Sequence, residues 1–137
     1  MNLDLEQTLK VRHPRLLRDL RHSDVGTPIA LDGITCRDGW FTLINDLCEQ
    51  IEAASADDDV LLIGQIKEKF AELRVYLHEP HRTPEDVRLL IEAARARSRT
   101  VCEICGQPGD LYEDQSWFHI YCAAHAIGQA VPPESGS

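Results

Sequence analysis

Between Asp38 and Ile66 the chain has no lysine or arginine, and none occurs after Arg99. The first stretch instead holds Asp38, Asp46, Glu49, Glu52, Asp57, Asp58 and Asp59, and the second Glu103, Asp110, Glu113, Asp114 and Glu134. The formal net charge is −9. A surface that docks on phosphates needs lysine and arginine, so the C-terminal quarter argues against a nucleic-acid-binding finger. Also missing is any apolar run approaching the length of a membrane span. The start, Met1-Asn2-Leu3-Asp4-Leu5-Glu6, lacks the basic and apolar regions of a signal peptide. A soluble protein of the bacterial cytoplasm, without a membrane partner, is expected. No phosphate-binding loop, nucleophile–base pair or deaminase-type His-x-Glu is present. A catalytic centre would have to be assembled from Lys67, Glu68, His78 and His81, and none is expected.

Five cysteines, an odd number, fit a reducing compartment better than a disulfide framework. Four residues near the C-terminus carry the chemistry: Cys102-Glu103-Ile104-Cys105 and Cys122-Ala123-Ala124-His125. Two residues separate the members of each pair, and sixteen separate the pairs. This is the spacing of a structural zinc site, in which two turns converge on one ion and the intervening chain returns as a loop or short hairpin. Four protein ligands fill the tetrahedron and leave no position for substrate, so the Zn2+ is expected to be structural. Gly106 supplies a residue tolerant of positive φ after the first pair. His119, in the strand-like run Trp117-Phe118-His119-Ile120-Tyr121, is the rival to His125 as fourth ligand. Cys36 and Cys48 remain as ordinary thiols.

At 137 residues the chain fits one domain with a modest core. We assign 1–130 to a single domain, with 100–127 as a zinc-binding submodule and 131–137 as a disordered tail. Leu5, Leu9, Leu16, Leu17 and Leu20 predict two short helices separated at His13-Pro14, the second starting at Pro14. Arg12, Arg15, Arg18 and Arg21 are read there as a solvated basic face. Residues 23–37 read as an ordered loop. The clearest helix runs from Asp38, its cap, to about Ala54. Trp40, Ile44, Leu47 and Ile51 recur at helical spacing, with Trp40 and Cys48 in the core. Asp57-Asp58-Asp59 then forms an exposed acidic turn. Val60, Leu62, Ile66 and Phe70 on one face, then Leu73, Val75 and Leu77, predict strands over 60–70 and 73–78 joined at Ala71-Glu72. A helix through Lys67–Leu73 is the competing assignment. Thr83 as cap and Pro84 at the first position start a last helix ending near Ser98, which buries Val87, Leu90, Ile91 and Ala94. The fold class is α+β: a small helical domain with a β-hairpin and a C-terminal zinc-knuckle module.

The order Cys36-Arg37-Asp38-Gly39-Trp40-Phe41, Gln65-Ile66-Lys67-Glu68-Lys69-Phe70, Leu73-Arg74-Val75-Tyr76, Cys102-Glu103-Ile104-Cys105-Gly106-Gln107-Pro108-Gly109 and Cys122-Ala123-Ala124-His125 resembles a family of small uncharacterised proteins encoded by bacteria, phages and prophages. The likeness spans about residues 14 to 127. Family members tend to read Gly-Gly after Lys-Glu-Lys-Phe, where this chain has Ala71-Glu72. The resemblance implies architecture and a mobile-element context, and no activity. The function expected is that of a non-enzymatic, zinc-stabilised interaction protein. Its acidic surface would engage, and inhibit, a basic host or phage protein such as a host-defence complex, without direct nucleic-acid contact. The alternatives are a nucleic-acid-binding zinc-finger regulator and an enzyme of another class.

Overall fold

Apolar residues at helical spacing bury one stripe of the first of two 14-residue helices, and the core forms around it. The computed structural model describes residues 1–57 and 61–126. In chain order these form α1 (Leu3–Arg12), α2 (Pro28–Asp32), β1 (Ile34–Thr35), a 3-10 turn (Asp38–Trp40), α3 (Phe41–Ala54), β2 (Ile63–Lys69), β3 (Glu72–Leu77), a second 3-10 turn (Pro80–Arg82), α4 (Glu85–Ser98), β4 (Asp110–Asp114), β5 (Trp117–Tyr121) and α5 (Ala123–Ala126). The class is α+β, as the sequence pattern predicts. No helix among the described residues is long and apolar enough to cross a membrane.

Trp40, Ile44, Leu47, Cys48 and Ile51 are all within 1 % of fully buried, so the α3 stripe is core as expected. α3 packs on α4, and α4 on β3. The sheet has the order β1-β2-β3, with β1 parallel to β2 (Ile34 opposite Ile66) and β2 antiparallel to β3. Ile34, Ile63, Ile66, Leu73, Val75 and Leu77 point inward to the same core as the α3 stripe. Ser98 Oγ accepts the Leu73 N–H at 3.0 Å, so the end of α4 closes part of the free edge of β3.

Several local assignments change. No second helix starts at Pro14: His13 ends α1, and residues 14–21 form turns that still bury Leu16, Leu17 and Leu20. Arg21 is exposed but not merely solvated, because it donates to Glu6, a carboxylate only 2 % exposed that also accepts the Ile34 N–H at 3.1 Å. Arg15 likewise donates to the Ser55 carbonyl at 3.0 Å. Residues 23–37 contain α2 and β1 rather than loop alone. Asp38 does not cap α3; both of its carboxylate oxygens accept from Asn2, at 2.8 and 3.0 Å. Thr83 does not cap α4: its hydroxyl donates to the Pro80 carbonyl, and Pro84 precedes the first helical residue. Val87 and Ala94 are buried on α4, whereas Leu90 and Ile91 are only half-buried. Asp58, Asp59, Val60 and the 131–137 tail lie outside the described residues.

The β2–β3 hairpin forms, but its turn is Phe70-Ala71, one residue earlier than predicted, with Lys69 opposite Glu72. Phe70 is then at the tip, 65 % exposed, instead of on the inner face. Both turn residues have positive φ, 54° and 62°. Two-residue hairpin turns of this kind favour Asn-Gly, because each ordinary residue held left-handed costs about 1 kcal/mol. Phe70→Asn is therefore expected to stabilise the fold by about 0.5–1 kcal/mol. Thermal unfolding checks this, and a lowered Tm would show that the exposed ring contributes more than the strain costs.

Candidate metal centre

The first half of the site is built on the main body. α4 ends at Ser98, and the chain turns through Thr100 and Val101 into the first cysteine pair. Cys102 N–H donates to the Gln107 carbonyl at 2.7 Å and Gly106 N–H to the Cys102 carbonyl at 2.9 Å, so Cys102–Gln107 closes into a tight turn. Gly106 takes a φ of +82°, the conformation for which glycine was expected there. The β4–β5 hairpin, with Asp110 opposite Tyr121, returns the chain to the same point. α5 then presents the second pair, its first turn held by Ala126 N–H on the Cys122 carbonyl at 2.9 Å.

Cys102 Sγ, Cys105 Sγ, Cys122 Sγ and an imidazole nitrogen of His125 all lie within 4.8 Å of one another, close enough to bind one metal ion. The His125 Nδ1 atom sits 3.7 Å from Cys102 Sγ and 3.2 Å from Cys122 Sγ, and Cys105 Sγ is 3.7 Å from Cys122 Sγ. The His125 amide directed at its sulfur, with the His125 ring, draws the Cys122 thiol down to about 6. At Cys105 the Gln107 amide acts in the same sense, but burial and the Cys122 and Cys102 sulfurs together raise the thiol. A divalent cation relieves this competition, since it stabilises all three as thiolates. Cys36 and Cys48 take no part. Burial pushes Cys36 up to about 12 and Cys48 higher still, as expected of core thiols.

His119 does not belong to this cluster. Its Nδ1 lies 2.8 Å from Oε1 of Glu103, and its ring stacks on Tyr121 with centroids 5.1 Å apart. The enzyme-like set does not gather either. Glu68 accepts the Ala71 N–H at the hairpin turn, and Lys67 lies over the Tyr76 ring. His78 is beyond the opposite end of β3, and both His78 and His81 are exposed.

Spacing did not reveal how this module is joined to the body. Glu103, between the first two cysteines, is 4 % exposed. Its carboxylate meets His119, accepts the Ile120 N–H at 3.2 Å and lies 3.4 Å from Arg37. Its backbone N–H donates to Ile120 and its carbonyl accepts from Gly39, both at 2.9 Å. Trp40 Nε1 donates to the Val101 carbonyl at 2.9 Å. A Cβ on Gly39 would stand 2.2 Å from the Cys102 carbonyl oxygen, and one on Gly106 would stand 3.0 Å from the Gly39 carbonyl oxygen. The Asp38-Gly39-Trp40 segment is thus the seat of the cysteine turn, backbone against backbone. The only sequence signal was the co-occurrence of that tripeptide with Cys-x-x-Cys.

Gly39→Ala is expected to cost roughly 1–3 kcal/mol or more, because backbone, not a flexible side chain, must yield. Gly26→Ala, with nothing within 4 Å of the added methyl, is the matched control and should stay within about 0.5 kcal/mol. Equal Tm values for the two variants would show that the seat is not tight.

No protein-family model, curated protein or solved structure matches this chain.

Proposed function

We propose that the chain is a non-enzymatic interaction protein stabilised by structural zinc. The carrying observation is the closed set of four donors seated directly on the core. A tetrahedral ion with thiolates at about 2.3 Å and an imidazole at about 2.0–2.1 Å has ligand–ligand edges of roughly 3.5–3.8 Å. Three of the six edges here are 3.2 to 3.7 Å, near that size, and all six are within 4.8 Å. Three sulfurs and one nitrogen suit zinc and not an oxygen-seeking cation such as magnesium or calcium. A filled tetrahedron leaves the ion no position for substrate, so its work is to hold the Glu103 turn against Gly39 and Trp40.

The partner we propose is a host or phage protein with a basic surface, in the bacterial cytoplasm. The family resemblance supports a phage or prophage origin, and inhibition of a host-defence complex is the use such a surface suggests. Several acids of the two tracts are engaged within the molecule: Asp38 at the surface with Asn2, Glu52 with His13, Glu103 with His119. The exposed remainder includes Glu49 and Asp57 beside α3, and Asp110, Glu113 and Asp114 on β4. The metal module, without lysine or arginine, is not itself a phosphate-docking finger.

Elemental analysis of protein purified without chelators should return one zinc per chain. Zinc binding in such modules contributes on the order of 10 kcal/mol to folding. Cys102→Ser and Cys122→Ser should therefore lower the Tm sharply, and unchanged Tm values would show that the site is not structural. Zinc should also be released on acidification. Protons compete with the metal for the three thiolates and the imidazole, so the zinc is displaced as the pH falls. Partner capture that is insensitive to salt and to combined Asp110→Asn, Glu113→Gln and Asp114→Asn changes would overturn the acidic-surface reading.

A further inference from the structure

The outer face of the β1-β2-β3 sheet has the opposite charge to the rest of the chain. Alternation along the strands puts Ile34, Ile66, Leu73 and Val75 into the core, and so turns Thr35, Lys67, Lys69, Glu72, Arg74 and Tyr76 outward. Register places Thr35 beside Lys67, and Lys67 beside Arg74. The row therefore crosses all three strands. The Lys67 ammonium lies 5.9 Å from the centroid of Tyr76, and the Lys69 ammonium 5.6 Å from that of Phe70. Those rings are 39 % and 65 % exposed.

Glu72 is the carboxylate on this face, and arginines surround it. Arg95 contacts it at 2.9 Å and Arg74 at 3.3 Å. Its carboxyl is held below the ordinary range by the Arg95 hydrogen bond, with Arg74 and Arg99 adding to the effect. Lys67 and Lys69 have no carboxylate at ion-pair distance among the described residues. Arg74 Nε is buried without an acceptor there, a donor whose desolvation is costly when unmet. Cations interleaved with exposed aromatic faces neutralise phosphates while rings stack on unpaired bases. An acidic peptide has no comparable use for the rings, and a duplex hides its base faces.

We propose that this sheet face binds single-stranded nucleic acid, with Lys67, Lys69 and Arg74 on the phosphates and Tyr76 and Phe70 stacking on bases. The site is separate from the metal module and goes beyond the zinc reading. It also departs from the expectation of no nucleic-acid contact, which rested on the acidic tracts and the lack of lysine and arginine in the metal module. The exposed acids Glu49 and Asp57 are on other elements, and the Debye length of about 8 Å at physiological salt screens charges farther away than that.

The test is fluorescence anisotropy with labelled 12-nucleotide oligo-dT and oligo-rU on the full-length, zinc-loaded chain. Zinc content and Tm are read on every sample, so that failure of the fold is distinguishable from failure of the site. Binding is expected at roughly 1–100 µM in 50 mM salt. It should weaken about 20-fold by 200 mM, the slope for about three phosphate contacts on a single strand. Lys67→Gln with Lys69→Gln should lose at least about 10-fold, and Tyr76→Ala about 5- to 100-fold while Tyr76→Phe retains affinity. Arg88→Gln, which removes an exposed cation paired with Glu85 on α4, should leave binding unchanged. No binding by the wild type overturns the proposal, as does binding unaffected by the sheet variants. Equal competition by a 12-residue poly-glutamate peptide also overturns it, by showing a site for acidic polypeptide.

Discussion

The close approach of Gly39 to the Cys102–Glu103 backbone is the contact on which the rest of the structure depends. At 2.2 Å from a carbonyl oxygen, a virtual Cβ has nowhere to go. The contact needs glycine on one side and, on the other, a turn held in one shape. Hydrogen bonds among Cys102, Gly106 and Gln107 shape that turn, and the metal donors reinforce it. On the body side, Trp40 is fully buried and uses its one polar atom on Val101. The same side chain is thus the anchor of α3 and the bolt of the metal module. A metal ion held by the four donors would act on the core through this path.

Three buried polar groups make comparable joins between segments distant in sequence. Glu6 ties α1 to Arg21 and to the start of β1. His13 lies between Glu52 and Asn45, at 2.5 and 2.8 Å. Glu103 ties the cysteine turn to β5 and to Arg37. Burying a carboxylate is costly unless its oxygens are met, so each of these admits only the arrangement that supplies its partners. Removing one partner leaves a desolvated charge, which is why such groups discriminate between packings more than they add net stability.

The metal quartet was legible because ligand spacing is a local property of two turns, and α3 and α4 because their stripes repeat at 3.6 residues. The choice of His125 over His119 also followed from spacing, but the role of His119 did not, since it depends on Glu103 from another turn. β1 escaped notice because two residues carry no period; only its parallel pairing with β2 makes it a strand. The 14–21 leucines have a helical rhythm and are buried, yet they belong to turns shaped by tertiary packing. The hairpin turn was misplaced by one residue because Phe70-Ala71 lacks the glycine or asparagine that marks left-handed positions. Asp38 and Thr83 have capping chemistry, but nearer acceptors and donors claimed them.

Charge shows the same difference between a linear and a folded reading. A net −9 describes how the molecule looks from several Debye lengths away. At contact range the sum dissolves into separate surfaces. Some acids are spent on buried joins, others remain exposed beside α3 and on β4, the arginines of β3 and the end of α4 gather around Glu72, and the lysines of β2 share its face. Strand alternation produces this last grouping: positions 67, 69, 72, 74 and 76 are spread over ten residues but share one face once the hairpin closes. Because that face and the exposed acids are on different elements, a partner meets a local field whose sign the total charge does not give. The fold, more than the composition, sets which polyelectrolyte each side attracts.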